Sequence, residues 1–203
     1  LLKRVRDIEK LAKFVFVRQS QPLGDGHAIL CAKEVIGNEP FAVLFGDDIV
    51  DGPRPALAQL IEAYEKTGTS VICTEKVGSE NISNYGVIDP ESQNGRIIGV
   101  KGLVEKPAAK DAPSNLGIIG KYICTPDIFD HLENSKSSAE GEIKLIDGFR
   151  SMLEAGKKIH ALEVEGTRYD TGNKSGLLEA NIAFAMKDPE LREKIKNLCQ
   201  RFF

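Results

Sequence analysis

The sequence lacks a basic excess. Lysine and arginine total 27 against 30 aspartates and glutamates, a formal net charge of −3 at pH 7. A dedicated nucleic-acid binder shows a basic patch or stripe, so that balance argues against nucleic acid as a partner. No run approaches the roughly 20 apolar residues that cross a bilayer, and no membrane partner is expected. The four cysteines, Cys31, Cys73, Cys124 and Cys199, form no CxxC pair and no Cys/His cluster. Neither a zinc site nor a dense disulfide framework is supported, and a reducing, cytoplasmic compartment is expected. Cys31, Cys73 and Cys124 fall in apolar runs and read as small core residues. No internal repeat, low-complexity segment or long linker interrupts the 203 residues, so one compact unit is expected.

The chain also has no methionine at its start. Leu1, Leu2, Val5, Ile8, Leu11 and Ala12 recur at helical spacing from the first residue. Asp7 and Glu9 argue against a transit peptide, and the segment reads as the truncated start of a surface helix.

What is present is enough apolar content for a packed core, 41% hydrophobic against 28% charged. Residues 14–18 (FVFVR) read as a buried strand, 21–26 (QPLGDG) as a Gly/Pro loop and 27–36 as a helix. Residues 41–45 (FAVLF) read as a second buried strand ending at Gly46-Asp47-Asp48, 56–65 as a helix stopped by Gly68, and 70–74 as a third strand. This alternation predicts βα units, a mainly parallel sheet and helices on both faces. Residues 85–89, 97–105 and 115–124 are β-rich with no helix between them, an excursion beside that sheet. Helical pattern returns at 126–132, 142–153 and 175–186, a strand is expected at 159–164, and a charged helix at 189–200 precedes Phe202 and Phe203.

In open α/β sheets ligands bind beyond the carboxyl ends of the strands. Asp47 with Asp48, Glu105 and Asp170 all stand where expected strands end. Hard carboxylate oxygens suit Mg²⁺, which takes one or two protein carboxylates together with substrate phosphates. Equally, Gly46-Asp47-Asp48 reads as a turn and Asp170 as a helix cap. In the loop at 21–26, glycine permits close backbone approach and an amide side chain can bond a nucleobase edge. His27, alone at a helix start, reads as structural. Glu105 can accept from sugar hydroxyls and Lys106 offers a point charge to phosphate, or the two form a solvated pair. Gly86 inside a strand suggests a bulge or the close approach of a ligand.

Seven stretches in order carry a resemblance: RQSQPLGDGHAILCA (18–32), FAVLFGDD (41–48), NYGVID (84–89), VEKP (104–107), APSNLGIIGKY (112–122), GEIKLIDG (141–148) and YDTGNK (169–174). Together the sequence resembles the bacterial UTP–glucose-1-phosphate uridylyltransferases (UDP-glucose pyrophosphorylases) of the sugar nucleotidyltransferase family. The resemblance implies the Rossmann-like α/β fold of the nucleotide-diphospho-sugar transferases, a mainly parallel sheet flanked by helices with a β-rich excursion. It makes residues 1–203 a single nucleotidyltransferase domain, N-terminally incomplete. It implies uridylyl transfer from UTP to glucose 1-phosphate with Mg²⁺ as cofactor, UDP-glucose as product, and a homo-oligomer, dimer or tetramer, for the intact parent. Asp47 and Asp170 match the metal-binding aspartates, with Asp48 beside the first. Gln21 and Gly26 match contacts to uracil, Gly86 and Glu105 contacts to glucose hydroxyls, Lys106 the lysine on the sugar phosphate, and Ile118 a position along the sugar. Asp47, Lys106 and Asp170 would be the catalytic set.

The family's opening GxGTR-type loop, which cradles the triphosphate, has no counterpart here. The chain as given is therefore expected to be catalytically silent, whatever its parent does. Two alternatives stay open: a thymidylyltransferase or other sugar-1-phosphate nucleotidyltransferase, and a non-catalytic sugar-nucleotide-binding piece.

Overall fold

The computed structural model describes residues 6–8, 10–135 and 141–201. Leu1, Leu2 and Val5 of the expected N-terminal stripe, and Phe202 and Phe203, lie outside the described residues. In the described part of that stripe, residues 6–8 are helical and a turn follows, with Ile8 and Leu11 exposed.

In chain order, α1 (Asp25–Cys31) and α2 (Lys33–Ile36) replace the continuous helix expected over 27–36, with the break at Ala32. The strands β1 (Phe41–Leu44) and β2 (Asp48–Asp51) follow, then α3 (Ala56–Thr67). Gly68 ends α3 in the left-handed conformation (φ 65°), its N–H returning to Tyr64 O at 2.7 Å, a conformation that glycine adopts without steric cost. Next come β3 (Val71–Lys76), β4 (Gly86–Asn94), β5 (Ile97–Glu105) and β6 (Leu116–Cys124). The chain continues through α4 (Ile128–Glu133), α5 (Leu145–Glu154), β7 (His160–Glu163) and β8 (Thr167–Asp170). It closes with α6 (Lys174–Ala185), capped by Asn173, and α7 (Pro189–Cys199), capped by Asp188 with Pro189 in its first turn.

The chain falls into two compact units, Leu1–Phe41 with Thr125–Lys157, and Ala42–Cys124 with Lys158–Phe203. In the first, α1, α4 and α5 pack through Ile29, Ile128, Leu132, Leu145, Phe149 and Met152, all buried. Gly148 lets α5 approach α4 closely, since a β-carbon there would lie 2.8 Å from Leu132 Cδ2. Residues 14–18 are not the buried strand expected: Phe16 is 96% exposed, and Phe14, Val15 and Val17 are exposed too. A strand is held by hydrogen bonds to a neighbour, and among the described residues none pairs with this run. Its composition fits a strand but does not supply the partner.

The second unit is built on a six-stranded sheet of order β1-β6-β3-β7-β5-β4, with β4 also touching β6 at Val87 and Gly117. The α/β class holds, but the sheet is mixed rather than mainly parallel. Of the pairings β3–β6, β3–β7, β4–β5, β4–β6 and β5–β7, only β3–β7 is parallel. The excursion strands explain this, because β4 and β5 are joined by the two-residue turn Gly95-Arg96 and so must be antiparallel. β1 is half-exposed rather than buried, because among the described residues β6 is its one strand neighbour, and Leu44 is exposed. The core gathers Leu60 and Ala63 of α3 on Val71, Cys73, Ile119, Ile123 and Leu162 of the sheet. A two-stranded ribbon, β2 with β8, was not expected from the sequence.

All four cysteines are free. Cys73 and Cys124 are core residues, and burial pushes the Cys73 thiol up to about 12. Cys31 is only half-buried, contrary to expectation, since it sits in the last turn of α1. Among the described residues no helix is long and apolar enough to cross a membrane.

Candidate active site

The β2–β8 ribbon positions the acidic residues. The strands run antiparallel with Asp48 opposite Asp170 and Val50 opposite Arg168. Residues two apart on a strand share a face, as do direct cross-strand partners. Asp48, Arg168 and Asp170 are therefore turned to one side. Asp47 occupies the turn just before β2, and its carbonyl accepts from Thr171 N–H (2.8 Å) and Thr171 Oγ1 (2.9 Å). Gly172 fits between the two outer carboxylates. A β-carbon there would lie 2.9 Å from Asp47 Oδ2 and 3.1 Å from Asp170 Oδ1, so those oxygens are at most about 6 Å apart. Modest side-chain rotation would let one cation with bonds of about 2.1 Å bridge them. Asp170 is not a helix cap: Asn173 caps α6, its Oδ1 accepting from Gly176 N–H at 2.8 Å.

Asp48 has a different role. It is buried, its Oδ1 pairs with Arg168 Nε, and its Oδ2 accepts from Gly120 N–H at 2.5 Å. Arg168 also donates through Nη1 to Glu75 Oε1 (3.2 Å) and Tyr85 OH (3.0 Å), and its Nη2 stands 3.7 Å from Asp170 Oδ2. Burial opposes the guanidinium charge, yet Asp48, Tyr85 and Glu75 together raise its pKa. Burial also raises the Glu75 carboxyl, Arg168 offsetting this only in part while Asp48 and Asp170 add repulsion. Arg168, Glu75 and Tyr85 were not marked by the sequence. The available signal was position: Arg168 precedes Asp170 by two residues in an extended segment.

A cleft of about 630 Å³ opens on this network, its lining including Asp48, Arg168, Asp170, Tyr85, Gly86 and Ile118. Glu105 is the cross-strand partner of Gly86. Glu105, Lys106 and Asp47 are not among the walls of the cleft. Lys106 is exposed, and its N–H donates to Tyr85 O at 3.0 Å. Among the described residues it is the one non-glycine with positive φ, at 45°.

Gln21 and Gly26 belong to the other unit. Gln21 is exposed, with its carbonyl accepting from Leu23 N–H at 2.9 Å. Gly26 is buried, and its N–H donates to Ile143 O (2.9 Å) and Asp25 Oδ1 (2.7 Å). A β-carbon on Gly26 would meet both Ile143 O and Leu132 Cδ2 at 2.9 Å, so packing alone requires glycine there. His27 holds its loop through Gln19 Nε2, 3.0 Å from its Nδ1, in keeping with a structural part.

The UTP–glucose-1-phosphate uridylyltransferase of Bacillus subtilis (strain 168) is 46% identical over 195 residues, 96% of this chain and 66% of that protein. The crystal structure of a UDP-glucose pyrophosphorylase complexed with UDP-glucose is 42% identical with a TM-score of 0.86, covering 92% of this chain and 71% of that one. A UTP-bound UGPase from Acinetobacter baumannii is 33% identical with a TM-score of 0.83, covering 98% and 72% respectively. The chain thus spans 66% of the length of its Bacillus relative. The family model for nucleotidyl transferase matches residues 1–187, a span that includes both β2 and β8 and the aspartates they present. This chain belongs to the nucleotidyl transferase family.

Proposed function

We propose, as the activity of the whole protein, transfer of a uridylyl group from UTP to glucose 1-phosphate, giving UDP-glucose and pyrophosphate, in the cytoplasm. The observation that carries this reading is the 46% identity to a uridylyltransferase of that specificity over nearly the whole chain. An oxygen of the sugar phosphate attacks the α-phosphorus of UTP, and the bond to the pyrophosphate oxygen breaks in line. Such transfer depends on positioning and charge neutralisation more than on covalent chemistry.

Asp47 and Asp170 fit a divalent cation, Mg²⁺ in this reading. Among the described residues no three His, Cys, Asp or Glu side chains converge into a cage, and Mg²⁺ characteristically accepts one or two carboxylates with phosphates and water completing its shell. When bound, the ion neutralises charge on the reacting phosphates. Lys106 offers its ammonium to the sugar phosphate. Gly86, Glu105 and Ile118 take the glucose side. Calorimetry of this chain is expected to show UDP-glucose binding that strengthens with Mg²⁺, and Asp170→Asn is expected to remove that dependence. Preference for dTDP-glucose, or Mg²⁺ dependence that survives Asp170→Asn, would count against the assignment.

Lys106 supports the reading through its backbone. A lysine held at φ 45° sits in the left-handed region, which costs of order 1–3 kcal/mol where a side chain is present. Pro107 further restricts the residue before it. Lys106→Gly is accordingly expected to stabilise the fold by about 1 kcal/mol while weakening UDP-glucose about tenfold. Thermal unfolding and calorimetry on the same variant check the two opposite signs.

A further inference from the structure

We infer that Arg168 is a positioning residue that decides which carboxylates are open to a divalent cation, by holding Asp48 out of the cation's reach. The inference rests on Asp47 and Asp170 as the holders of that cation. Asp48 and Asp170 are direct cross-strand partners, so two like charges face each other across a two-stranded ribbon, an arrangement that is repulsive. Arg168 answers the repulsion unevenly. Its Nε is in close contact with Asp48 Oδ1, whereas its Nη2 stays 3.7 Å from Asp170 Oδ2. Both oxygens of Asp48 are thereby engaged, one by the guanidinium and one by Gly120 N–H. Asp170 Oδ1 has the Gly172 N–H at 3.0 Å, and among the described residues its Oδ2 has only the distant Nη2. Exposure follows the same division, 8% for the Asp48 side chain against 40% for Asp170.

Glu75 is drawn to the same guanidinium through Nη1 at 3.2 Å. Three carboxylates thus surround one cation of the protein's own, and a fourth, Asp47, adjoins Asp170 at Gly172. Without the guanidinium, Asp48 would turn from a buried, paired group into a third ligand. The bare chain would then bind a divalent ion more tightly, through positions that substrate phosphates should complete. With Arg168 in place, affinity for the ion alone stays low and the ion is held well only together with phosphates.

The test is Mn²⁺ binding without nucleotide, read from the electron paramagnetic resonance of free Mn²⁺. Arg168→Met is expected to tighten Mn²⁺ about tenfold, because one positive charge some 4 Å from a ligand is removed. Arg168→Lys should stay near the parent chain. Asp48→Asn preserves shape and frees the guanidinium to turn onto Asp170, so it is expected to weaken Mn²⁺ about tenfold. The double variant should return to the parent value. A merely structural Arg168 would not give opposite signs for the two single changes, so unchanged or weaker binding in folded Arg168→Met overturns the inference. Should that variant not fold, unchanged or tighter binding in Asp48→Asn overturns it equally. Asp170→Asn separates the two levels: Mn²⁺ binding that survives it defeats the cation reading itself, whereas its loss there, with no response at residues 48 or 168, defeats only the role of Arg168.

Discussion

Replacing Arg168 with methionine is expected to destabilise the second unit by about 3–5 kcal/mol, the usual cost of removing one partner from a buried ion pair. The Asp48 and Arg168 side chains are 8% and 11% exposed, too little for solvent to compensate a lone carboxylate. Tyr85 would also lose the cation that lies 5.3 Å over its ring, worth about 0.5–2 kcal/mol. Glu75 and Asp170, left beside Asp48 without a counter-charge, add repulsion. For a chain of this length each kcal/mol moves the melting temperature by about 2–4 °C, so a fall of roughly 10 °C is expected by circular dichroism. Adding Asp48→Asn should recover most of the loss, since an amide oxygen still accepts from Gly120 N–H and no buried charge remains. A loss below about 1 kcal/mol would mean that the pair behaves like a solvated surface bridge.

The elements that the sequence made legible share one property, an apolar pattern that matches their burial. α3 was read from its stripe and from Gly68, and β5 and β6 from β-branched runs that are in fact largely buried. Strand direction was not legible, because an apolar run reads alike in parallel and antiparallel sheets, and the connection decides. The run at 14–18 shows the converse limit. Its Val and Phe content is that of a core strand, yet without a hydrogen-bonding neighbour among the described residues it remains exposed. β2 (DIVD) and β8 (TRYD) escaped notice because four residues, with an aspartate at both ends of β2 and at the end of β8, offer almost no alternation to detect.

The site divides in the same way. Asp47 and Asp170 were visible as carboxylates following expected strands, and Thr171 and Gly172 bring them together. The network behind them was not visible. A single arginine in a polar stretch reads as a solvated side chain, and only the Asp48–Asp170 register turns Arg168 inward to face three carboxylates. Gly26 was legible as a glycine that matters, but its structural demand is close packing against Ile143 and Leu132.

Gly176→Ala is expected to cost about 3 kcal/mol, although alanine is ordinarily preferred to glycine inside a helix by about 1 kcal/mol. The site is the first turn of α6, where a β-carbon would lie 2.0 Å from Asp170 O and 2.9 Å from Asp170 C. Those are backbone atoms, so no side-chain rotation relieves the contact. Either the helix start moves away, breaking the Asn173 cap on Gly176 N–H, or the end of β8 moves and carries Asp170 with it. Overpacking typically costs about 1–3 kcal/mol, and a contact between main-chain atoms belongs at the upper end. The melting temperature should fall by roughly 6–12 °C, and the Mg²⁺-dependent part of UDP-glucose binding should fall with it, because the Asp170 carboxylate no longer faces Asp47 across Gly172. Gly46→Ala is the control. Gly46 directly precedes Asp47, yet a β-carbon there meets nothing within 4 Å and its φ is not positive. Its stability should change by no more than about 0.5 kcal/mol. Comparable losses in both variants would show that glycine content near the aspartates, rather than the contact with Asp170 O, governs the effect.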